Sequence, residues 1–273
     1  MIKVLSALCL LVLLSSCGGK TEPYIDNPYE NRMKDFTHMG VKAMHEERWK
    51  SAEHSFSRAL QMAQLLSDPA LEARAWYNDA MAWKAMGNFS EANDALRQGL
   101  RISRLHNLKK SAQRAQIQWV ILHDGKGVLP SLEKDDPADI ALSLGYVLAK
   151  QTDFIGASRA YHQVLDSAGD EKNGLLLQAR AMLGLASLPA QVKVKKHEIW
   201  VEQALKLLRK VGAPRKTAQA LLMVAMNHHY TVKQRRDAAE RAVKVYQLLQ
   251  DSHGESMAED VLQSMALLGD EYE

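Results

Sequence analysis

The chain has 273 residues, of which 47% are hydrophobic, and its formal net charge at pH 7 is only +3. This length and apolar content can supply the core of one extended domain or of two compact ones. The weak net charge, without a basic motif interleaved with aromatic residues, argues against nucleic acid as a partner. Strong helix formers are abundant, and no run of alternating β-branched residues is present, so we predict an all-α fold.

The first sixteen residues have the pattern of a secretory signal peptide. Lys3 precedes an apolar run, Val4–Leu14, which is too short to cross a bilayer as a helix. The Leu14-Ser15-Ser16-Cys17 sequence that follows resembles the bacterial lipobox, in which the cysteine is acylated, with palmitate for example, and becomes the first mature residue. The resemblance implies a lipoprotein whose lipidation site is Cys17. The alternatives are an ordinary signal peptide and an incidental thiol.

A lipid anchor has consequences for location and for cysteine chemistry. Two or three acyl chains hold a protein on a membrane almost permanently. Gly18, rather than aspartate, follows the cysteine, and by the same resemblance this implies sorting to the bacterial outer membrane, facing the periplasm; the inner membrane and the cell surface stay open. Cys9 leaves with the signal peptide, so no disulfide is expected in the mature chain.

The chain beyond Cys17 divides into a tether, a folded body and an acidic end. Residues 17–32 contain two prolines and little apolar periodicity, and we expect a flexible tether there, with the folded body starting near Met33. Residues 33–253 have helical periodicity throughout. Residues 254–273 contain six acidic and no basic residues, and we expect a capping helix and tail.

Small and large apolar residues recur at fixed intervals in the body. With Met33, Ala73 and Ala138 each as position 1, small residues fall at or near positions 8 and 20 and large ones at or near 4 and 24, as in the following sets: Phe36, Gly40, Ala52 and Phe56; Trp76, Ala80, Ala92 and Leu96; Ala141, Gly145, Ala157 and Tyr161. This spacing resembles the tetratricopeptide repeat (TPR) family, in which small residues let two helices of a hairpin approach closely. The resemblance implies a right-handed superhelix, an α-solenoid of helical hairpins.

The repeats depart from the family pattern in two places. Repeats one and two are offset by 40 residues, from Ala52 to Ala92, instead of the usual 34. A helix over Asn107–Asp124 is followed by an irregular segment, Gly125–Pro137, which leaves it without a normal partner. We expect two looser hairpins and a capping helix to complete the solenoid, built from Leu175–Leu188 with His197–Val211, Lys216–Tyr230 with Lys233–Gln250, and Glu255–Leu268.

We find no catalytic or metal-binding constellation. Asp124-Gly125-Lys126-Gly127 lacks the spacing of a phosphate loop and is explained by a turn after a helix. Neither His228-His229 nor the pair His38 and His45 has a third ligand nearby. We therefore expect no enzyme activity, no metal and no cofactor.

The TPR resemblance assigns a binding groove to the first helix of each hairpin. Its positions 2, 5, 9, 12 and 13 line the concave surface in that family. In this chain they correspond to Lys34, Thr37, Val41, Met44 and His45; to Arg74, Tyr77, Met81, Lys84 and Ala85; and to Asp139, Leu142, Tyr146, Ala149 and Lys150, with Asn227 and Tyr230 extending the groove. This mixture suits an extended peptide or a partner helix from an envelope protein.

The second charged feature is a basic segment between Lys193 and Lys244. Residues 191–253 contain thirteen basic and five acidic residues, a net charge of +8. Such a segment is either a solvated helix surface or a site for an anionic partner. We expect a scaffold or adaptor for the assembly of an envelope complex such as a secretin or pilus. The alternatives are a regulator of a cell-wall or proteolytic enzyme and a binder of an anionic envelope polymer or lipid.

Overall fold

The computed structural model describes residues 27–189, 197–228 and 230–269, which form twelve helices and no β-strand. The signal peptide, Cys17 and residues 17–26 of the predicted tether lie outside these ranges. In chain order the helices are α1 (Pro28–His45), α2 (Trp49–Leu66), α3 (Pro69–Ala85), α4 (Phe89–Leu105), α5 (Lys109–Leu122), α6 (Ala138–Lys150), α7 (Phe154–Ser167), α8 (Lys172–Ser187), α9 (His197–Val211), α10 (Pro214–Ala225), α11 (Val232–Leu248) and α12 (Ser252–Gly269).

The helices pack as a series of hairpins, which confirms the predicted α-solenoid. The pairs α1/α2, α3/α4, α6/α7, α8/α9 and α10/α11 form five hairpins, and α12 packs on α11 at the end. We call the first helix of each pair helix A and the second helix B. Helix α5 is an A helix without a B helix, because residues 123–137 contain no helix and α6 packs next to α5. The irregular segment predicted from Gly125 to Pro137 therefore replaces one helix of the solenoid.

The first helix begins earlier than the sequence analysis predicted. Asn27 accepts hydrogen bonds from the backbone N–H groups of Tyr29 and Glu30 through its side chain, and Pro28 occupies the first helical turn. An Asn cap followed by proline is a strong start signal. Residues 28–32, assigned to the tether, are therefore helical, and Met33 is a buried residue inside α1.

Glycines at the helix crossings allow the hairpins to pack closely, as predicted. A Cβ atom added to Gly145 in α6 would lie 2.8 Å from Cε1 of Tyr161 in α7. Gly184 in α8 faces the other side of the same ring, and Gly40 has the same relationship to Phe56 in the first hairpin. The small residues therefore let large rings lie directly against the backbone of the neighbouring helix.

One ion-pair cluster joins the two ends of the solenoid. Arg215, at the start of α10, pairs with Glu47 in the turn between α1 and α2 and donates to Asp251 before α12, at 2.8 Å. The first hairpin therefore contacts the fifth. This closure leaves the A helices around a central space, which we call the lumen.

Candidate functional site

A cavity of about 490 Å³ lies on the lumen side, between three successive A helices. Its walls come from α3, α5 and α6, and it is lined by Ala70, Leu71, Ala73, Arg74, Tyr77, Asn78, Ser111, Arg114 and Asp139. The structure therefore brings together three of the predicted groove residues, Arg74, Tyr77 and Asp139. Arg74 is exposed, whereas Tyr77 and Asp139 are half-buried.

Arg114 forms the polar centre of this cavity. Its Nε donates to Asp139 Oδ2 at 2.7 Å and its Nη2 donates to Oδ1 at 3.1 Å, a two-point contact between α5 and α6. The hydrogen bonds to Asp139 raise the pKa of Arg114, so this guanidinium stays charged. The sequence analysis missed Arg114, because α5 has no B helix and was not recognised as the A helix of a repeat. Its spacing from Ser111 and Gln118 along one side of a helix was the available signal.

Tyr77 connects the cavity to the opposite side of the lumen. Burial is the main reason that its pKa is raised, and the Asp139 carboxylate adds to the effect. Its hydroxyl hydrogen-bonds with Gln118 of α5, and Arg114 and Arg180 both lie close enough to oppose the shift. At neutral pH the phenol is therefore protonated and able to donate a hydrogen bond.

Arg180 on α8 and Lys216 on α10 extend the charged surface around the lumen. Both side chains keep exposed surface, yet surrounding protein lowers the pKa of each by displacing bulk water. The charge of Arg180 also lowers the pKa of Lys216. Two cations that lie near each other in a partly dehydrated space attract an anion more strongly than solvated surface lysines do. Neither residue was predicted, since their hairpins match the repeat pattern loosely.

Lys84 and Lys150 add two further cations near one end of the A helices. Lys84 Nζ donates to Gln118 Oε1 at 3.3 Å, and burial, followed by the charge of Lys150, lowers its pKa. Lys150 Nζ lies 5.2 Å from the centre of the Tyr146 ring. The predicted residues Lys84, Tyr146 and Lys150 are thus close together, and they connect with the cavity through Gln118.

Several predicted groove residues belong to the core instead. Leu142 is only 6% exposed and packs in the main hydrophobic cluster, so its assignment to the groove was wrong. Met44 and Met81 are half-buried and pack against core clusters of the first and second hairpins. A helix turns 100° per residue, so a register error of one position moves a side chain from the lumen to the core.

The remaining predicted residues lie apart from the cavity. Tyr230 packs edge-on against His197, with ring centres 5.9 Å apart, and burial followed by Glu198 and Glu202 of α9 raises its pKa to about 12. Asn227 accepts a hydrogen bond from the Tyr230 backbone in the same turn. These contacts are with helix B of the fourth hairpin and not with the lumen. On α1, Lys34 pairs with Glu30, Val41 and His45 are exposed and Thr37 is half-buried.

The basic segment does not form one surface in the described structure. Lys193, Lys195 and Lys196 lie outside the described residues. Arg215 joins the ends of the solenoid, Lys216 lies in the lumen, and Arg235 Nε donates to the carbonyl of Ala225 at 2.7 Å. The other basic residues of the segment lie on the B helices α9 and α11, as follows: Lys206, Arg209, Lys210, Lys233, Arg236, Arg241 and Lys244.

Two searches of the described ranges gave negative results. No group of three or more His, Cys, Asp and Glu side chains there is placed to hold a metal ion. In the same ranges no helix has the length and hydrophobicity needed to cross a bilayer.

Comparison with known proteins identifies the fold but not a family. No family model matches the chain, and no curated protein matches it. Among solved structures, the apo form of the quorum sensor NprR from B. thuringiensis matches with a TM-score of 0.50 and 13% identity, over 87% of this chain and 78% of that one. The Rap conjugation gene regulator of plasmid pLS20, in complex with the Phr* peptide, has a TM-score of 0.48 and 12% identity, over 92% and 67%.

A third solved structure, BtubC from P. vanneervenii, has a TM-score of 0.35 and 15% identity, over 91% of this chain and 94% of that one. At such identities a structural likeness reports on backbone architecture alone. The hairpin packing and the likeness to NprR together show that the chain has a TPR-like α-solenoid fold.

Proposed function

We propose that this chain is a non-enzymatic binding protein that holds an extended, carboxylate-rich segment of a partner protein in its lumen. The observation that carries the proposal is the unequal charge of the lumen wall. Arg74, Lys84, Lys150, Arg180 and Lys216 face a partly enclosed space in which the nearby carboxylates are already paired, Asp139 with Arg114 and Glu47 with Arg215.

Burial of the lumen cations makes an acidic ligand favourable. Surrounding protein lowers the pKa of Lys84, Arg180 and Lys216, which means that their charged forms lack part of their hydration. A carboxylate that enters the lumen restores favourable contacts to these cations, and charge-assisted hydrogen bonds are about twice as strong as neutral ones. Tyr77 and Tyr146 provide flat apolar surfaces beside the charges, which suits a peptide rather than a free ion.

The proposed location follows from the amino-terminal sequence. Acylation at Cys17 would tether the solenoid to the bacterial outer membrane on its periplasmic side, where envelope complexes are assembled. We therefore propose a scaffold or adaptor for such a complex. Regulation of a cell-wall or proteolytic enzyme would use the same lumen, and it differs only in the identity of the partner.

A peptide selection tests the chemistry of the proposed ligand. The full chain, held in detergent micelles, is used to select from a library of random twelve-residue peptides. We expect strong enrichment of Asp and Glu among the selected peptides and loss of binding in the double variant Arg180→Glu/Lys216→Glu. The matched control is Lys206→Glu, which reverses an exposed cation on the B helix α9. Selection of apolar or basic peptides, or equal binding by both variants, contradicts the proposal.

A further inference from the structure

The missing helix of the third repeat leaves the outer side of the solenoid incomplete. The other hairpins have B helices of 18, 17, 14, 15 and 17 residues, which are α2, α4, α7, α9 and α11. In a solenoid each helix covers apolar surface of its neighbours. Helix α5 is followed by residues 123–137, which form no helix, so one side of α4 and α5 lacks this cover.

A cavity of about 890 Å³ occupies the position of the missing helix. It is lined by residues of α4, α5 and the following loop, namely Arg97, Leu100, Arg101, Arg104, Leu105, Gln116, Trp119 and Val128. Leu105 is 69% exposed and Val128 is 81% exposed. Large aliphatic side chains with this exposure beside a cavity are typical of a surface that another molecule covers.

The loop that borders this cavity is held in place by specific contacts. Gln116 Nε2 donates to the carbonyl of Val128 at 2.7 Å, and Trp119 Nε1 donates to Asn93 Oδ1 at 3.0 Å. Gly127 has a φ of +140°, and an added Cβ atom would lie 3.0 Å from both Trp119 and Val120. The loop therefore requires glycine in order to lie against the indole. The cavity is preformed, which lowers the entropic cost of binding.

Three arginines make one side of the cavity strongly positive. Arg97, Arg101 and Arg104 follow each other at intervals of four and three residues along α4, so they lie on one side of the helix. Arg97 has a long contact to exposed Asp94 at 3.7 Å, and Arg101 Nε donates to the neutral Gln98 at 3.2 Å. Within the described ranges these arginines have no other carboxylate partner.

We propose that this cavity binds an amphipathic helix of a partner protein, which takes the place of the missing B helix. Apolar side chains of the partner helix would contact Leu100, Leu105 and Trp119, and its carboxylates would pair with the arginines. The α4 residues from Arg97 to Leu105 span about 12 Å, so the partner helix needs two to three turns to match them. This site lies on the opposite side of the A helices from the lumen and is independent of the lumen ligand.

Photocrosslinking from the outer surface tests this second site. The full chain is expressed in its host with a photoreactive amino acid replacing Leu105, and the crosslinked peptides are identified by mass spectrometry. We expect an adduct to a segment of a different protein that has apolar residues three and four positions apart, flanked by Asp or Glu. Arg101→Glu should lower the yield about tenfold, because it places like charges opposite each other. Arg159→Glu, an exposed arginine on the B helix α7, should leave the yield unchanged.

Four results would overturn the second site. They are no adduct from Leu105 while a probe at Arg74 in the lumen gives one, an adduct to lipid, an adduct to a second copy of this chain, and a yield that Arg101→Glu does not change. The Arg180→Glu/Lys216→Glu variant separates this site from the lumen, since it should leave the Leu105 adduct intact. Equal thermal unfolding of the Arg101→Glu and Arg159→Glu variants controls for folding.

Discussion

The guanidinium of Arg215 forms an ion pair with Glu47, and this contact joins residues 168 positions apart in the sequence. The same guanidinium donates to Asp251, whose other hydrogen bond comes from the backbone N–H of Gly254 in α12. Glu47, Arg215 and Asp251 therefore connect the first, fifth and terminal units. Because the lumen is enclosed only when the ends meet, this cluster determines how strongly the lumen cations are desolvated.

Loss of this cluster should widen the solenoid. We expect Arg215→Ala to increase the radius of gyration and to reduce the free energy of unfolding by about 1 kcal/mol, since the three side chains remain partly exposed. Small-angle scattering and chemical denaturation measure the two effects. Arg241→Ala is the control, because it removes an exposed pair with Asp237 within one helix. An unchanged radius of gyration would show that the closure does not depend on Arg215.

Buried Asp79 should make the stability depend on pH. It is only 6% exposed and accepts a hydrogen bond from Trp83 Nε1 at 3.2 Å, and burial raises its pKa from 3.8 to about 6. A carboxyl whose folded pKa is raised favours the folded state at low pH. Its destabilising effect begins above its unfolded pKa of 3.8 and is complete above its folded pKa of about 6.

The test is to compare wild type with Asp79→Asn, which keeps an acceptor for Trp83. We expect the stability advantage of the variant to grow by about 2 to 3 kcal/mol between pH 4 and pH 7. Urea denaturation at several pH values measures this difference. Asp166→Asn, at an exposed position on α7, should show no such trend. A pH-independent difference between Asp79→Asn and wild type would contradict the assignment.

Gly145 should not tolerate a methyl group, although alanine is the better helix former. The added Cβ would meet the buried Tyr161 ring at 2.8 Å, and overpacking of a core costs about 1 to 3 kcal/mol, against a helix-propensity gain of about 1 kcal/mol. We expect Gly145→Ala to lower the melting temperature. Gly99→Ala is the matched change, because its nearest contacts are at 3.4 Å, and it should be neutral or stabilising. The reverse order of the two melting temperatures would be inconsistent with this packing.

Asp136 should determine the order of the loop that replaces the missing B helix. It accepts from Lys110 Nζ at 2.6 Å and from the Glu133 backbone N–H at 2.8 Å. Burial acts to raise its pKa, but these hydrogen bonds and the Lys110 charge outweigh burial and lower it. The carboxylate therefore stabilises the fold above pH 3.8, and this contribution is lost as the pH falls through the lowered pKa of the folded state.

We expect Asp136→Ala to cost about 2 kcal/mol, because it leaves Lys110 without its closest partner. Faster hydrogen exchange should be confined to residues 123–137. Asp135→Ala is the control, because that side chain is 78% exposed. Protection that is equal in the two variants would exclude Asp136 as the anchor of the loop.

The fold was predictable from the sequence because close helix crossings require small residues at fixed positions. Gly40, Gly145 and their aromatic partners are local in the chain and identify the hairpins directly. The lumen was less predictable, because Arg114 lies on a helix whose repeat is incomplete. Arg180 and Lys216 come together only through the curvature of the whole solenoid. Leu142 was misassigned since it is one helical position from the lumen side, and no local signal corrects such an error.

The measurement that tests the central claim most directly is photocrosslinking from the lumen in cells. The full chain carries the photoreactive residue in place of Arg74, with Arg236 on α11 as the control position. We predict one discrete adduct from Arg74, mapped to an acidic segment of an envelope protein and abolished by the Arg180→Glu/Lys216→Glu variant. An adduct from Arg236 but none from Arg74, or an Arg74 adduct unaffected by those changes, would contradict binding in the lumen.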